Sequence, residues 1–362
     1  MALRLIHFLF VLLSVKTAYA SQIDSFRQCR DCSAAELDMF FDTSSAPDTS
    51  FKLIHAQGSL GPVILFHGLT DSPYYMKDIA EVYFRMGYDV YSPLMEAHGA
   101  AYGELSTIQN TQWNQQVEKY ISLLHGRYKR KVILGGFSNG GLVSTIATIA
   151  APTKDKILSL LLISPALGLP PKAWIAYKFL KAFDRLAKKF DIQSLYELRR
   201  KIWSMPVKTS EYEDPRGRVR SPIMQLNGPF QVARNIEMLN SMSRDKSIEI
   251  PVTVVLTSDD TTISIPKVLA KFRSLLGTRK HLVWLQSPSA KMPSVLHRLP
   301  PEELTIVNVD RTLSHSITLH KSGLTINEDN PEFSRVAAVL EHSSVRKKNE
   351  CTSFYSSIAM SK

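Results

Sequence analysis

Ser138 stands in Gly136-Phe137-Ser138-Asn139-Gly140, a G-x-S-x-G pattern that follows the apolar run 132–134 and precedes the helix-compatible stretch 142–150. A serine hydroxyl is a poor nucleophile until a neighbouring base takes its proton. A sharp strand-to-helix turn can present it, and glycines two positions to either side are then needed because side chains there would strike the flanking elements. A plain glycine turn with a solvated serine would share the letters but not the strand before and the helix after. The placement makes Ser138 the candidate nucleophile of an acyl-transfer site.

Such a site needs a base, an acid to orient it, and donors for a developing oxyanion. The acid is expected just past the run 251–256, where Thr257-Ser258-Asp259-Asp260-Thr261-Thr262-Ile263 offers two carboxylates. Asp260 is preferred, because Ile263 can anchor the loop while that carboxylate turns inward. Asp259 is the reserve, and an Asx turn or helix cap is its structural alternative. Five histidines follow: His281, His297, His315, His320 and His342. His315, shortly after the strand-like run 304–309, is the expected base, with His297 second. Phe66-His67-Gly68-Leu69 ends an earlier strand, so Leu69 N–H and Asn139 N–H are the candidate oxyanion donors. Backbone donors are rigid before the reaction and need no reorganisation. His67 precedes the serine, contrary to the order Ser, acid, His, and is read as shaping its loop.

The surrounding elements must hold these groups along one sheet edge. From residue 61 short β-branched runs alternate with longer amphipathic ones, the pattern of an α/β fold with a mostly parallel sheet. Strands are expected at 61–66, 88–91, 131–134, 157–163, 251–256, 281–285 and 304–309. Helices are expected at 72–85 with Ser72 as cap, around 113–124, from 139, at 265–276 and at 331–341. Residues 166–246 break the rhythm and read as an inserted helical cap between two parts of the core, 61–165 and 247–345. An N-terminal segment, 21–60, and a C-terminal tail, 346–362, flank them.

On these residues the chain resembles the monoacylglycerol lipase and carboxylesterase branch of the α/β-hydrolases. The likeness runs through His67-Gly68, the His98-Gly99 loop, the Ser138 elbow, and Asp260 followed three positions on by Ile263. The resemblance implies hydrolysis of carboxylic esters, lipid-like ones included, through Ser138, Asp260 and His315, with neither metal nor organic cofactor. Peptidases and acyltransferases share the fold, and a non-catalytic binding protein is the remaining alternative. Ala97 departs from the pattern where relatives carry glycine, and the segment 287–301 is longer than a typical acid-to-histidine connection.

Residues 1–20 read as a signal peptide, with Arg4 before an apolar run and Ala18-Tyr19-Ala20 as the cleavage pattern, which implies export to a periplasm or beyond. An uncleaved anchor is the other reading. Removing Arg4 and Lys16 with that segment leaves 42 Lys+Arg against 33 Asp+Glu, a formal charge of +9. The surplus favours anionic surfaces. No nucleic-acid partner is expected. Cys29, Cys32 and Cys351 are too few for a disulfide scaffold, and in an oxidising compartment Cys29 would pair with Cys32 or one of them with Cys351. Within the cap, Lys178, Lys181, Arg185 and Lys188 recur at steps of three or four, so a helix would gather them on one face with Phe179, Leu180, Phe183, Leu186 and Phe190 on the other. A helix there should be amphipathic, either roofing Ser138 or docking on an anionic membrane.

Overall fold

The computed structural model describes residues 49–190, 193–208 and 223–309, together with Phe41, His315 and six positions between 333 and 341. The chain runs through β1 (Phe51–Leu53), β2 (Pro62–Phe66), α1 (Lys77–Arg85), β3 (Asp89–Ser92), α2 (Asn110–Tyr128), β4 (Val132–Phe137), α3 (Asn139–Ile149) and β5 (Ile157–Ile163). It then forms α4 (Pro171–Phe190), α5 (Gln193–Trp203), an antiparallel pair of β6 (Pro206–Lys208) and β7 (Ile223–Gln225), and α6 (Asn227–Met242). The sheet resumes with β8 (Val252–Thr257), α7 (Ile265–Ser274), β9 (Lys280–Gln286) and β10 (Leu304–Asn308). Its eight strands lie in the order β1-β3-β2-β4-β5-β8-β9-β10, all parallel except β1 against β3.

Alternation along the strands explains why they read as unbroken apolar runs. Ile64, Phe66, Leu134, Leu162, Val254 and Trp284 face one hydrophobic layer. Their neighbours Val63, Leu65, Ile133, Leu161, Val255 and Val283 face the other. Successive side chains in a strand point to opposite faces, so a parallel sheet covered by helices on both sides must be apolar at every position. The carboxyl ends of β4, β8 and β10 consequently open on the same edge, where Ser138 and the loop after β8 follow.

Most expected elements are present with ends shifted by a few residues, and the described positions between 333 and 341 are helical. The expected helix 72–85 begins instead as a 3-10 turn over Pro73–Met76, and Ser72 occupies its N-cap position without a side-chain capping bond. Neither β1 nor the β6–β7 pair was anticipated, since three-residue strands carry no legible alternation. Within the stretch 166–246, α6 packs against α2 and α3. Buried amides fasten it there: Asn110 and Asn114 both donate to Asn235 Oδ1, at 2.8 and 2.9 Å, and Asn227 donates to the carbonyls of Leu105 and Ile108. Residues 1–20, the three cysteines, His320, His342 and the tail 346–362 lie outside the described residues.

Candidate active site

Ser138 is the single residue between β4 and α3, and its backbone is held at φ +52°, ψ −114°. A positive φ is unfavourable for a residue with a Cβ, so the conformation persists through its bonds. Ser138 N–H donates to Ile163 O at 3.0 Å, and its carbonyl accepts from Leu142 N–H and Ala166 N–H at 3.1 and 2.9 Å. Space dictates the glycines. A Cβ on Gly136 would land on the backbone of Gly140, and one on Gly140 would land on the Phe66 carbonyl.

The structure brings Ser138, Asp260 and His315 together. His315 Nδ1 lies 2.6 Å from Asp260 Oδ2, and Nε2 lies 2.9 Å from Ser138 Oγ. An ionised carboxylate can only accept, so Nδ1 carries the proton and donates it to Asp260. Nε2 is then left with the lone pair that accepts from the serine hydroxyl. The other carboxylate oxygen, Asp260 Oδ1, accepts from Thr262 N–H and Ile263 N–H at 3.0 and 3.2 Å. The loop after β8 thereby aims Asp260 inward, and the Phe137 ring packs 4.8 Å from the His315 imidazole, centroid to centroid.

Among the described residues the alternatives lie elsewhere. Asp259 accepts from Ser287 Oγ at 2.8 Å, tying the end of β8 to the end of β9. His297 is exposed on a 3-10 turn, and His281 bonds Glu302 O and Thr305 Oγ1. His67 is buried beside the elbow. Its Nδ1–H donates to Gly68 O at 2.9 Å and its Nε2 accepts from Met95 N–H at 3.0 Å, which joins the loop after β2 to the loop after β3. Burial, and then the neighbouring His98, hold its pKa well below the ordinary imidazole range. His98, also lowered by burial, meets His67 edge to face at 4.9 Å. Ala97, the departure from the resembling pattern, sits at φ +62°, a conformation that a glycine would adopt without strain.

Leu69 and Asn139 both line the cavity of about 270 Å³ that Ser138 and His315 open into. Asn139 begins α3, where the first N–H groups have no intrahelical acceptor. The remaining wall is mainly apolar: Ala166 and Leu169 after β5, Met224 from β7, Pro229 and Val232 from α6, and Ile263. Sequence reasoning missed Met224, Pro229 and Val232. They lie far from every motif, and no local pattern marks them.

A strained serine elbow over an eight-stranded, mostly parallel sheet defines the α/β-hydrolase fold. The model of the Hydrolase_4 family, described as serine aminopeptidase, S33, matches residues 58–287, and the chain belongs to that family. It is also similar to a thermostable monoacylglycerol lipase of Bacillus sp. (strain H-257), with 30% identity over 112 residues. That match spans 30% of this chain and 43% of the relative, so less than half of the relative's length is covered. Among solved structures, a monoacylglycerol lipase of Paleococcus ferrophilus superposes with a TM-score of 0.53 at 19% identity, covering 81% of this chain and 97% of that one. A soluble variant of monoglyceride lipase from Saccharomyces cerevisiae gives 0.55 at 13%, covering 82% and 92%. At such identities the structural likeness speaks for the fold alone.

Proposed function

We propose that this protein is an exported serine hydrolase that cleaves carboxylic esters of lipid-like molecules, such as a monoacylglycerol, a lysophospholipid or a short- to medium-chain acyl ester. The observation that carries the reading is the continuous hydrogen-bonded line from Asp260 through His315 to Ser138 Oγ at the mouth of an apolar cavity. In this mechanism Nε2 of His315 takes the hydroxyl proton as Ser138 Oγ bonds the ester carbonyl carbon, and Asp260 balances the imidazolium. Leu69 N–H and Asn139 N–H receive the oxyanion. His315 then returns the proton to the departing alkoxide, and water attacks the acyl-enzyme by the same route in reverse. The apolar walls suit an acyl chain.

A peptidase of the kind the family description names would need a carboxylate facing the substrate ammonium. Asp71, at the oxyanion loop, is the acidic residue among the described lining residues, whereas β7 and α6 contribute apolar ones. The two readings separate in one panel. Monoacylglycerols and p-nitrophenyl esters should turn over while aminoacyl anilides do not, and a fluorophosphonate should label the protein at Ser138. Anilide turnover exceeding ester turnover would reverse the assignment.

The outer face of α4 adds a place for the lipid source. Ile175, Phe179, Leu186 and Phe190 are 56, 74, 52 and 56% exposed, and fall on one stripe of the helix with Lys178, Arg185 and Lys189 beside it. An exposed apolar stripe with basic flanks is the composition of a helix that lies on an anionic membrane surface.

A further inference from the structure

A second cavity, of about 340 Å³, shares a wall with the catalytic one. Ala166 and Leu169 line the catalytic side of the connection after β5, while Leu167 and Gly168 line the other. The second cavity, open to solvent on one side, is lined by Trp174 of α4, Ile236 of α6, and two lysines one turn apart on α7, Lys267 and Lys271. Lys267 Nζ donates to Leu169 O at 3.0 Å and lies 5.2 Å from the centre of the Trp174 ring. Lys271 Nζ donates to Ser243 Oγ at 3.1 Å, and burial lowers its pKa. Among the described residues neither ammonium has a carboxylate partner. Lys267 is exposed and Lys271 half-buried, and like charges at i and i+4 repel. An anion between them would relieve that repulsion.

We propose that this cavity is a second binding site, distinct from the Ser138 pocket, for the carboxylate head of a medium-chain fatty acid. Two ammoniums can each face one carboxylate oxygen, as in other charge-assisted pairs. Leu167, Trp174 and Ile236 provide the apolar surface that the adjoining methylenes require and that a bare inorganic anion would not. The site rests on the ester-hydrolase reading in one respect: that reaction releases such an acid on the far side of the Leu167–Leu169 wall. Occupancy would also draw Lys267 off the Leu169 carbonyl, which couples the site to the catalytic wall.

Fluorescence of Trp174 tests this on the full chain after Ser138 has been capped with an alkyl fluorophosphonate that fills the catalytic cavity. The ligand 8-bromooctanoate should quench a component absent from Trp174→Phe, and the neutral 8-bromooctanamide should need at least tenfold more. K267Q/K271Q should weaken the carboxylate's quenching at least tenfold with an unchanged melting temperature, and K267R/K271R should retain it. Equal quenching by the amide, or undiminished quenching in K267Q/K271Q, would overturn the proposal. Displacement of bromooctanoate by inorganic phosphate at equal or lower concentration would overturn the carboxylate assignment. Failure of the capping reaction would count against the hydrolase reading, while the unlabelled protein, compared with Trp174→Phe, would still report on this site.

Discussion

Asp259 and Asp260 are consecutive carboxylates with different surroundings. Asp260 is oriented by two backbone N–H groups and faces His315, whereas Asp259 is held by Ser287. Asp260→Asn and His315→Ala should each lower kcat by about 10⁴, the size of effect expected when the orienting acid or the base is lost. Asp259→Asn should change kcat less than tenfold, and steady-state kinetics on a soluble ester compares the three. A larger loss in Asp259→Asn than in Asp260→Asn would exchange their roles. His67 and His98 carry a different consequence. Their folded pKa values lie below the unfolded value of about 6.5, so below that pH the unfolded chain binds more protons than the folded one. Stability should be full above about pH 6.5 and fall on acidification, by up to about 1.4 kcal/mol per pH unit for each histidine. Urea midpoints measured at pH 7.5 and 5.5 should differ accordingly. Equal midpoints would mean that the two imidazoles do not cost stability on protonation.

Buried amides between α2 and α6 add to the apolar contacts of Val232, Ile236 and Leu239 in tying the α4–α6 stretch to the core. Asn235 Oδ1 is the shared acceptor for Asn110 and Asn114, and Asn110 N–H reaches Gln231 Oε1 at 3.1 Å. A buried donor that loses its acceptor costs about 1–3 kcal/mol. Asn235→Ala strands two, so a loss of about 2–6 kcal/mol is expected from urea denaturation. Val232 lines the catalytic cavity one turn before Asn235 on the same helix, so KM for a long-chain ester should rise as well. A loss below about 1 kcal/mol would show that water replaces the bonds at no cost.

The orientation of α4 governs the proposed docking of the whole molecule on a lipid surface. Lys181 pairs with Glu237, and Asp184 is buried between Lys188 and Arg199, so part of the basic side of α4 turns inward. The apolar residues divide: Leu180 and Phe183 are half-buried, whereas Phe179, Leu186 and Phe190 face solvent. Among the described residues no helix is long and apolar enough to cross a membrane. Phe179→Ser with Phe190→Ser should therefore reduce cosedimentation with anionic vesicles at least tenfold and leave hydrolysis of a soluble short-chain ester within twofold. Lys178→Gln with Arg185→Gln should weaken binding mainly at low salt, at about 1 kcal/mol per charge. Unchanged vesicle binding in the double phenylalanine variant would assign the stripe to another partner.

The elbow, the alternation of strands β2 to β5 with their helices and the loop that carries Asp260 were legible because each rests on short-range rules. Glycine spacing reflects steric room within a few residues, and strand and helix periods are set by local backbone geometry. Asp260 over Asp259 was readable because Ile263 anchors its loop only three positions away. The inward turn of Lys181 was not readable, since it depends on Glu237, 56 residues distant. The same holds for Met224, Pro229 and Val232 in the cavity wall and for the amides that seat α6 on α2. Helical periodicity shows that α4 has two faces, but which one is covered depends on the partners that long-range packing brings against it, and those partners carry no signal in the local pattern.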